Sequence, residues 1–264
     1  TGAGRGLGRA MALGLIAAGA NVLAVDLDRE PLETLRAAAG VEAAQRLAIE
    51  QADVSRDESG PDLVRRATAH FGALHILVND AGVNLETVRP GASIAEQSWE
   101  LDPADFRRIF EVNAIAPFLM ARAAIAPMRA QNWGRIVGVT TSLDTMWRKN
   151  MIPYGGSKAA HEAYIAALAD ELAGTGITVN VLVPGGAANT RMTASWGAKQ
   201  AQLIKPQVMV APLLWLTSAE ADGVTGRRFI GANFDPNLPG AKAAEAAGAP
   251  AAWPQLGRQS ILPG

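Results

Sequence analysis

The sequence predicts an α/β protein: a single domain in which a mainly parallel, doubly wound sheet lies between two layers of helices. Three observations lead there. Short β-type runs alternate with longer Ala-rich stretches of helical spacing, as in successive strand–helix units. The connections are short, so the sheet is mainly parallel and covered on both faces. A glycine-rich turn opens directly into the first helix.

That first helix is expected over residues 7–18. Strands follow at 22–25, 47–54, 74–78, 135–141, 177–183 and 228–234, and helices at 30–39, 61–71, 103–131, 153–173 and 206–218. Pro61, Pro103, Pro153 and Pro206 open four helices, where the missing N–H costs nothing. Gly19, Gly40, Gly72 and Gly174 follow four helices, where a C-terminal cap calls for glycine. Residues 235–264, rich in Pro, Ala and Gly, read as an extended tail beyond a domain of residues 1–234. A phosphate-binding turn is entered from a strand, so a short apolar strand is expected upstream of Thr1.

Composition narrows the function. Apolar residues make up 49% and charged residues 19% of the 264 residues, enough for a sizeable core. A net charge of −1 argues against a nucleic-acid or anionic-membrane surface. The absence of Cys excludes disulfides, thiolate metal sites and a cysteine nucleophile. His70, His75 and His161 show no metal-ligand spacing. No apolar run reaches about 18 residues, so no transmembrane helix is expected. With no signal peptide visible, the expected location is the cytoplasm.

The chemistry begins at residues 1–8. Their glycines fit T-G-x-x-x-G-x-G through Gly2, Gly6 and Gly8, while G-x-G-x-x-G fits in no register and no P-loop Lys follows. Glycine permits a sharp turn and close approach to a ligand, and the helix N-terminus offers N–H groups to a pyrophosphate. Asp26 ends the next strand, 18 residues beyond Gly8, where a dinucleotide domain places the acid that accepts from ribose hydroxyls. A carboxylate there repels a 2′-phosphate, which favours NAD. Arg5 pulls the other way, so NADP stays open.

Tyr154 and Lys158 are one turn apart on one helix face. A free Tyr has a pKa of about 10. A neighbouring ammonium is expected to lower it and fit the phenol for acid–base work at a carbonyl or carbinol oxygen.

Taken together, the motifs resemble those of the short-chain dehydrogenase/reductase family, over residues 1–234. They are residues 1–8, Asp53-Val54, Asn79-Asp80-Ala81-Gly82, Asn113, a Thr/Ser pair before the Tyr helix, Tyr154/Lys158 and Pro184-Gly185. The resemblance implies a Rossmann-type fold and an oxidoreductase with these roles. Gly2, Arg5, Gly6, Leu7 and Gly8 would form the cofactor turn. Asp53 and Val54 would hold the adenine, by side chain and by backbone N–H. Asn79, Ala81 and Gly82 would line the cofactor, and residues 184–190, with Pro184, Gly185, Gly186 and Thr190, would wrap the nicotinamide. Lys158 would bind the nicotinamide ribose, Asn113 would hold a water in a proton relay to Lys158, and Tyr154 would be the acid–base residue.

The chain departs from the family pattern in places. The family's catalytic Ser position falls on Thr141 by count, with Ser142 next, and either hydroxyl can donate to a substrate oxygen. Asp80 replaces the usual Asn, a change that reads as tolerable at a surface. Thr190 comes one residue late after Pro184-Gly185, and residues 233–236 replace a glycine-rich strand end. The interval from Gly82 to Asn113 is about nine residues longer than in compact members, so residues 84–101 should be an extra loop.

The expected activity is hydride transfer between NAD(H) and a secondary alcohol/ketone pair. One alternative is an NADPH-dependent 3-oxoacyl-thioester reductase; another is a cofactor-binding sensor or scaffold on the same fold. Trp147, Met151, Met192 and Trp196 fall in stretches that border the site in this family, which implies either a partly apolar substrate pocket or cover for a helix or a subunit contact. Relatives of this type imply a homo-oligomer, tetramer or dimer, joined through residues 103–131, 153–173 and the last strand. The tail is expected on a neighbouring subunit or across its own site entrance.

Overall fold

Strands that are apolar without alternation need cover on both faces, and the chain supplies it with helices. The computed structural model describes residues 1–92 and 96–254. Helix α1 (Gly6–Ala17) is followed by β1 (Val22–Asp26), α2 (Arg29–Ala39), β2 (Leu47–Gln51), α3 (Ser59–Phe71) and β3 (Ile76–Asn79). Then come α4 (Leu85–Val88), α5 (Pro103–Phe110), a π-helical turn (Glu111–Ile115), α6 (Ala116–Ala130) and β4 (Gly134–Val139). After these run α7 (Leu143–Met146), α8 (Ile152–Glu171), β5 (Ile177–Val183) and a 3₁₀ stretch (Arg191–Gln202). The described chain closes with α9 (Val210–Leu216), β6 (Arg227–Ile230), α10 (Gly240–Ala247) and β7 (Gly248–Pro250).

β1 pairs with β2 in parallel, and β3, β4, β5 and β6 pair in parallel in chain order, with β7 antiparallel at the edge. Residues 1–3 join the two groups. The Thr1 amino nitrogen donates to the Val78 carbonyl at 2.9 Å, and the Ala3 N–H donates to the Val25 carbonyl at 3.0 Å. This is where strand order reverses, and such a point opens a crevice beyond the carboxyl ends of the strands.

The two faces of the sheet carry separate cores. Ile136, Val179, Val181 and Val183 meet Leu63 of α3, Met120 and Met128 of α6, and Ile165 and Leu168 of α8. On the other face, Val137, Val139, Leu182 and Phe229 meet Met11 and Leu15 of α1 and Leu213 and Leu216 of α9. Each large apolar side chain buried this way contributes about 1.5–3 kcal/mol. The helical run Pro103–Ala130 is long and apolar enough to cross a membrane by length and composition alone. Ala121, Ala124 and Met128 are fully buried in the first core, so here it serves as a core helix.

Several expectations change. The single helix expected at 103–131 is interrupted by the π turn. The strand expected to reach residue 54 ends at Gln51, because the Asp53 carboxylate draws the chain into a turn by accepting from the Ser55 N–H at 3.0 Å. The loop expected at 84–101 contains α4, which Asn84 and Thr87 cap reciprocally. Most clearly, residues 235–254 are not an extended tail. α10 buries Ala243, Ala244 and Ala247 in the cluster with Trp215, Phe229 and Phe234, and β7 pairs with β6. The small Ala side chains and Gly240, where a Cβ would sit 2.3 Å from Trp215, permit this approach. An open β6 edge is also a liability that a cis partner removes. Leu256, Ile261 and Leu262, also assigned to the tail, lie outside the described residues.

Candidate active site

The glycine turn is built on backbone crowding. Gly2 has φ +65°, and a Cβ there would lie 2.9 Å from the Ala81 backbone. At Gly8 a Cβ would reach 2.2 Å from the Gly2 carbonyl oxygen. Gly6 has φ +52°, and Thr190 stands where its Cβ would be, at 2.9 Å. Arg5, the N-cap of α1, gives the first helical turn no side-chain acceptor. Gly2, Arg5, Gly6 and Leu7 line a cleft of about 560 Å³. The first-turn N–H groups of Gly6 and Leu7 and the positive helix end suit an anionic dinucleotide there.

Asp26 lines the same cleft and supports the turn. Its carboxylate accepts from the Gly4 N–H at 2.9 Å and from the Asp28 N–H at 3.2 Å. Gly4, not singled out in the sequence, is confined by Asp26 and Pro31, each under 3.0 Å from a Cβ built there; the signal was a fourth glycine in an eight-residue turn. Arg5 does not stand as a free cation: it pairs with Asp28 at 2.7 Å and Glu30 at 3.7 Å. Arg191 also reaches Asp28, at 3.6 Å.

Asp53 and Val54 also line the cleft. Burial alone would raise the Asp53 pKa, but Ser55 and Arg108 more than offset it and hold the carboxyl below its usual range. Arg108, another residue the sequence did not flag, donates to Asp53 at 2.9 Å. Ala81 and Gly82 line the cleft, whereas Asn79 does not. The Asn79 amide is buried and donates to the Pro117 carbonyl at 3.2 Å. Gly8 and Gly185 also lie behind the wall, and Pro184, Gly186 and Thr190 face the cleft.

Asp80 corrects the surface reading. Its Oδ2 lies 2.6 Å from the position of a Cβ at Gly8 and accepts from the Gly8 N–H, beneath the turn. Burial pushes this carboxyl up to about 6, against Lys158 and the Gly8 N–H.

Tyr154 and Lys158 come from the first two turns of α8 and both border the cleft. The Thr141 hydroxyl, just past the end of β4, lines the cleft beside the Tyr154 hydroxyl. Ser142 also faces the cleft, but its hydroxyl is bonded to Thr145 Oγ1 at 2.7 Å. The expected lowering of the Tyr154 pKa is reversed. Burial pushes it up to about 12, against the neighbouring Thr141 hydroxyl and with the Asp80 charge adding. Lys158 Nζ instead donates to the Val139 carbonyl at 2.9 Å, and burial pushes its pKa down to about 8. Asn113 is fully buried in the π turn, the kind of irregularity often found at functional sites. Its carboxamide exchanges two 2.8 Å bonds with the Val83 backbone and donates to Ser157 Oγ at 3.0 Å.

The outer end of the cleft is walled by Leu85, Thr87 and Glu96, between β3 and α5, and by Met151, Met192 and Trp196. Trp147 stands apart from it and is 78% exposed. Asn84 donates to the Met192 carbonyl at 3.3 Å and Ser195 to Glu86 at 2.8 Å, so the start of the β3–α5 connection and the segment after β5 close over one another.

Comparison with known proteins agrees with this geometry. The sequence model of the family described as short chain dehydrogenase matches residues 1–201. The chain is 29% identical to 2-dehydro-3-deoxy-D-gluconate 5-dehydrogenase of Escherichia coli, covering 86% of this chain and 89% of that one. It is 31% identical to the chloroplastic NADPH-dependent aldehyde reductase 2 of Arabidopsis thaliana, covering 88% and 90%. Among solved structures, the 3-ketoacyl-(acyl-carrier-protein) reductase of Brucella melitensis complexed with NADH superposes with a TM-score of 0.74 at 28% identity, covering 85% of this chain and 91% of that one.

The buried Asp80 yields a stability prediction. An acid whose folded pKa is raised keeps its full stability below its unfolded value, about 3.9, and loses it as pH climbs to the folded value of about 6. Asp80→Asn should therefore raise the thermal unfolding midpoint at pH 7, with the gain vanishing below about pH 4. A midpoint that does not rise at pH 7 would show that the carboxylate carries no penalty.

Proposed function

The chain belongs to the short-chain dehydrogenase family, and on that premise we propose that it moves a hydride between NAD(H) and a secondary alcohol/ketone pair at Tyr154. The observation that carries this reading is that one cleft is lined at one end by the glycine turn and at the other by Tyr154, Lys158 and Thr141. A bound nicotinamide cofactor would supply the hydride acceptor or donor. The α1 N-terminus and glycine turn would hold its pyrophosphate, Asp26 the adenosine ribose, Asp53 and Val54 the adenine, and Pro184 to Thr190 the nicotinamide end. Lys158, one turn beyond Tyr154, would bind the nicotinamide ribose.

In reduction the Tyr154 hydroxyl donates its proton to the carbonyl oxygen; in oxidation the phenolate takes the proton back. Thr141 orients that oxygen by donating to it, and we assign it the role ahead of Ser142, whose hydroxyl is engaged by Thr145. Asn113, pinned to Val83, keeps the helix bend beside Lys158, and a water held there would complete the proton relay. A Tyr154 pKa pushed up to about 12 keeps the phenol protonated at neutral pH. That favours carbonyl reduction near pH 7 and alcohol oxidation at alkaline pH. The test is Tyr154→Phe, assayed on a panel of secondary alcohols and ketones. Loss of the acid–base group should lower kcat by about 10²–10⁴-fold with cofactor binding retained; near-normal turnover rejects the mechanism.

NAD is preferred over NADP because Asp26 sits in the cleft while Asp28 and Glu30 neutralise Arg5. The same pairing weighs against the NADPH-dependent 3-oxoacyl-thioester reading. Asp26→Asn keeps an acceptor for the Gly4 N–H and removes the charge. The ratio of kcat/KM for NAD over NADP should fall by roughly tenfold, about 1.4 kcal/mol; an unchanged ratio rejects the preference.

Self-association is part of this reading. Phe106 stacked on Phe110, together with exposed Ile115 and Phe118, gives α5, α6 and the π turn an apolar outer face. A second copy of the chain would cover it. Light scattering should give a dimer or tetramer that Phe118→Glu weakens; a monomeric wild-type chain overturns the assignment.

A further inference from the structure

We propose that Glu162 and Arg228, a buried ion pair behind the catalytic wall, are positioning residues that hold Thr141 against Tyr154. The inference deepens the reading above and rests on its assignment of Tyr154 and Thr141. Glu162 lies on α8, one turn past Lys158 and two past Tyr154, and is fully buried; the Arg228 side chain on β6 is 7% exposed. Arg228 Nε donates to Glu162 Oε1 at 2.9 Å, and its terminal nitrogen donates to the Thr141 carbonyl at 2.9 Å. Thr140 Oγ1 donates to Glu162 Oε2 at 2.9 Å. The Ala252 N–H, beyond β7, donates to Glu162 Oε1 at 3.3 Å.

The β4–β5 ladder ends at Val139 paired with Leu182. Thr140 and Thr141 therefore lie past the last strand bond, and the ion pair supplies partners in its place, for the side chain of one and the carbonyl of the other. One carboxylate thereby ties the helix bearing Tyr154 and Lys158 to the strand end bearing Thr141. Stability does not explain the choice, because an apolar pair of similar volume serves a core at least as well as a buried ion pair. What an apolar pair cannot do is bond the Thr141 carbonyl.

The test uses the full chain labelled with 3-fluorotyrosine in a Tyr164→Phe background. The chain has two Tyr residues, so the one fluorine resonance left reports Tyr154. Thr141→Val should shift that resonance. The double replacement Glu162→Leu with Arg228→Met, which leaves no unpaired charge, should lower the unfolding midpoint only through the partners lost by Thr140, the Thr141 carbonyl and Ala252; it should shift the resonance, and should add nothing further once Thr141→Val is present. With the secondary-alcohol panel and NAD, the same pair should lower kcat by about 10–10²-fold and leave the KM for NAD unchanged. A native-like fluorine resonance in the double replacement, or a shift that adds in full to that of Thr141→Val, overturns the proposal. Should the double replacement not fold, Arg228→Lys, which keeps the charge but not the fork, takes its place with the same expected shift. If the wild type turns over no alcohol or ketone while the fluorine shifts occur as stated, the activity assignment fails and the positioning role stands.

Discussion

Close backbone approach between residues 1–8 and the ends of β1 and β3 is the constraint on which the rest of the site depends. Gly8 must pass within van der Waals contact of the Gly2 carbonyl, and Gly2 must pass over Ala81. Any Cβ at either position would separate α1 from the sheet. Because the contact holds, residues 1–3 can bond Val25 on one side and Val78 on the other. Asp26, Asp80 and Thr190, from three distant stretches of chain, then converge on one turn.

Burial sets the electrostatics of this convergence. Tyr154, Lys158 and Asp80 are each driven toward the neutral form by desolvation, which penalises the charged state of acid and base alike. His161, one turn beyond Lys158, is buried with both ring nitrogens lacking a partner among the described residues. Burial and the Lys158 charge hold it down to about 3, so it adds no competing cation. The α1 side of the cleft is different. There Arg5, Arg191, Asp28 and Glu30 are largely wet and balance one another, so they add little to stability.

The cleft's outer wall is assembled from the parts of the chain least constrained by the sheet. In the β3–α5 connection Arg89 pairs with Glu96 at 2.7 Å and with Asp105 of α5 at 2.8 Å. The segment after β5 contributes Met192 and Trp196, and Gly197, with φ +56°, turns the chain within the 3₁₀ stretch. Loops on a rigid scaffold are where such enzymes vary what they accept.

The sequence by itself determined the alternation of strands and helices, the parallel sheet, the glycine turn and the Tyr154/Lys158 pair. These rest on local rules: hydrophobic period, proline and glycine punctuation, and fixed spacing along one helix. Gly19, Gly40, Gly72 and Gly174 all have positive φ, as helix-ending glycines should. Tertiary structure alone decided the rest. No spacing rule shows that Arg5 is neutralised by Asp28, that Asp80 is buried under the turn, or that Arg108 holds Asp53. Nor does the sequence show that Thr145 captures the Ser142 hydroxyl. The stretch after residue 234 looked like a tail because Ala, Gly and Pro carry little hydrophobic pattern. Their small size is what lets α10 and β7 pack against Trp215, Phe229 and β6, a fit that exists only once the sheet edge has formed.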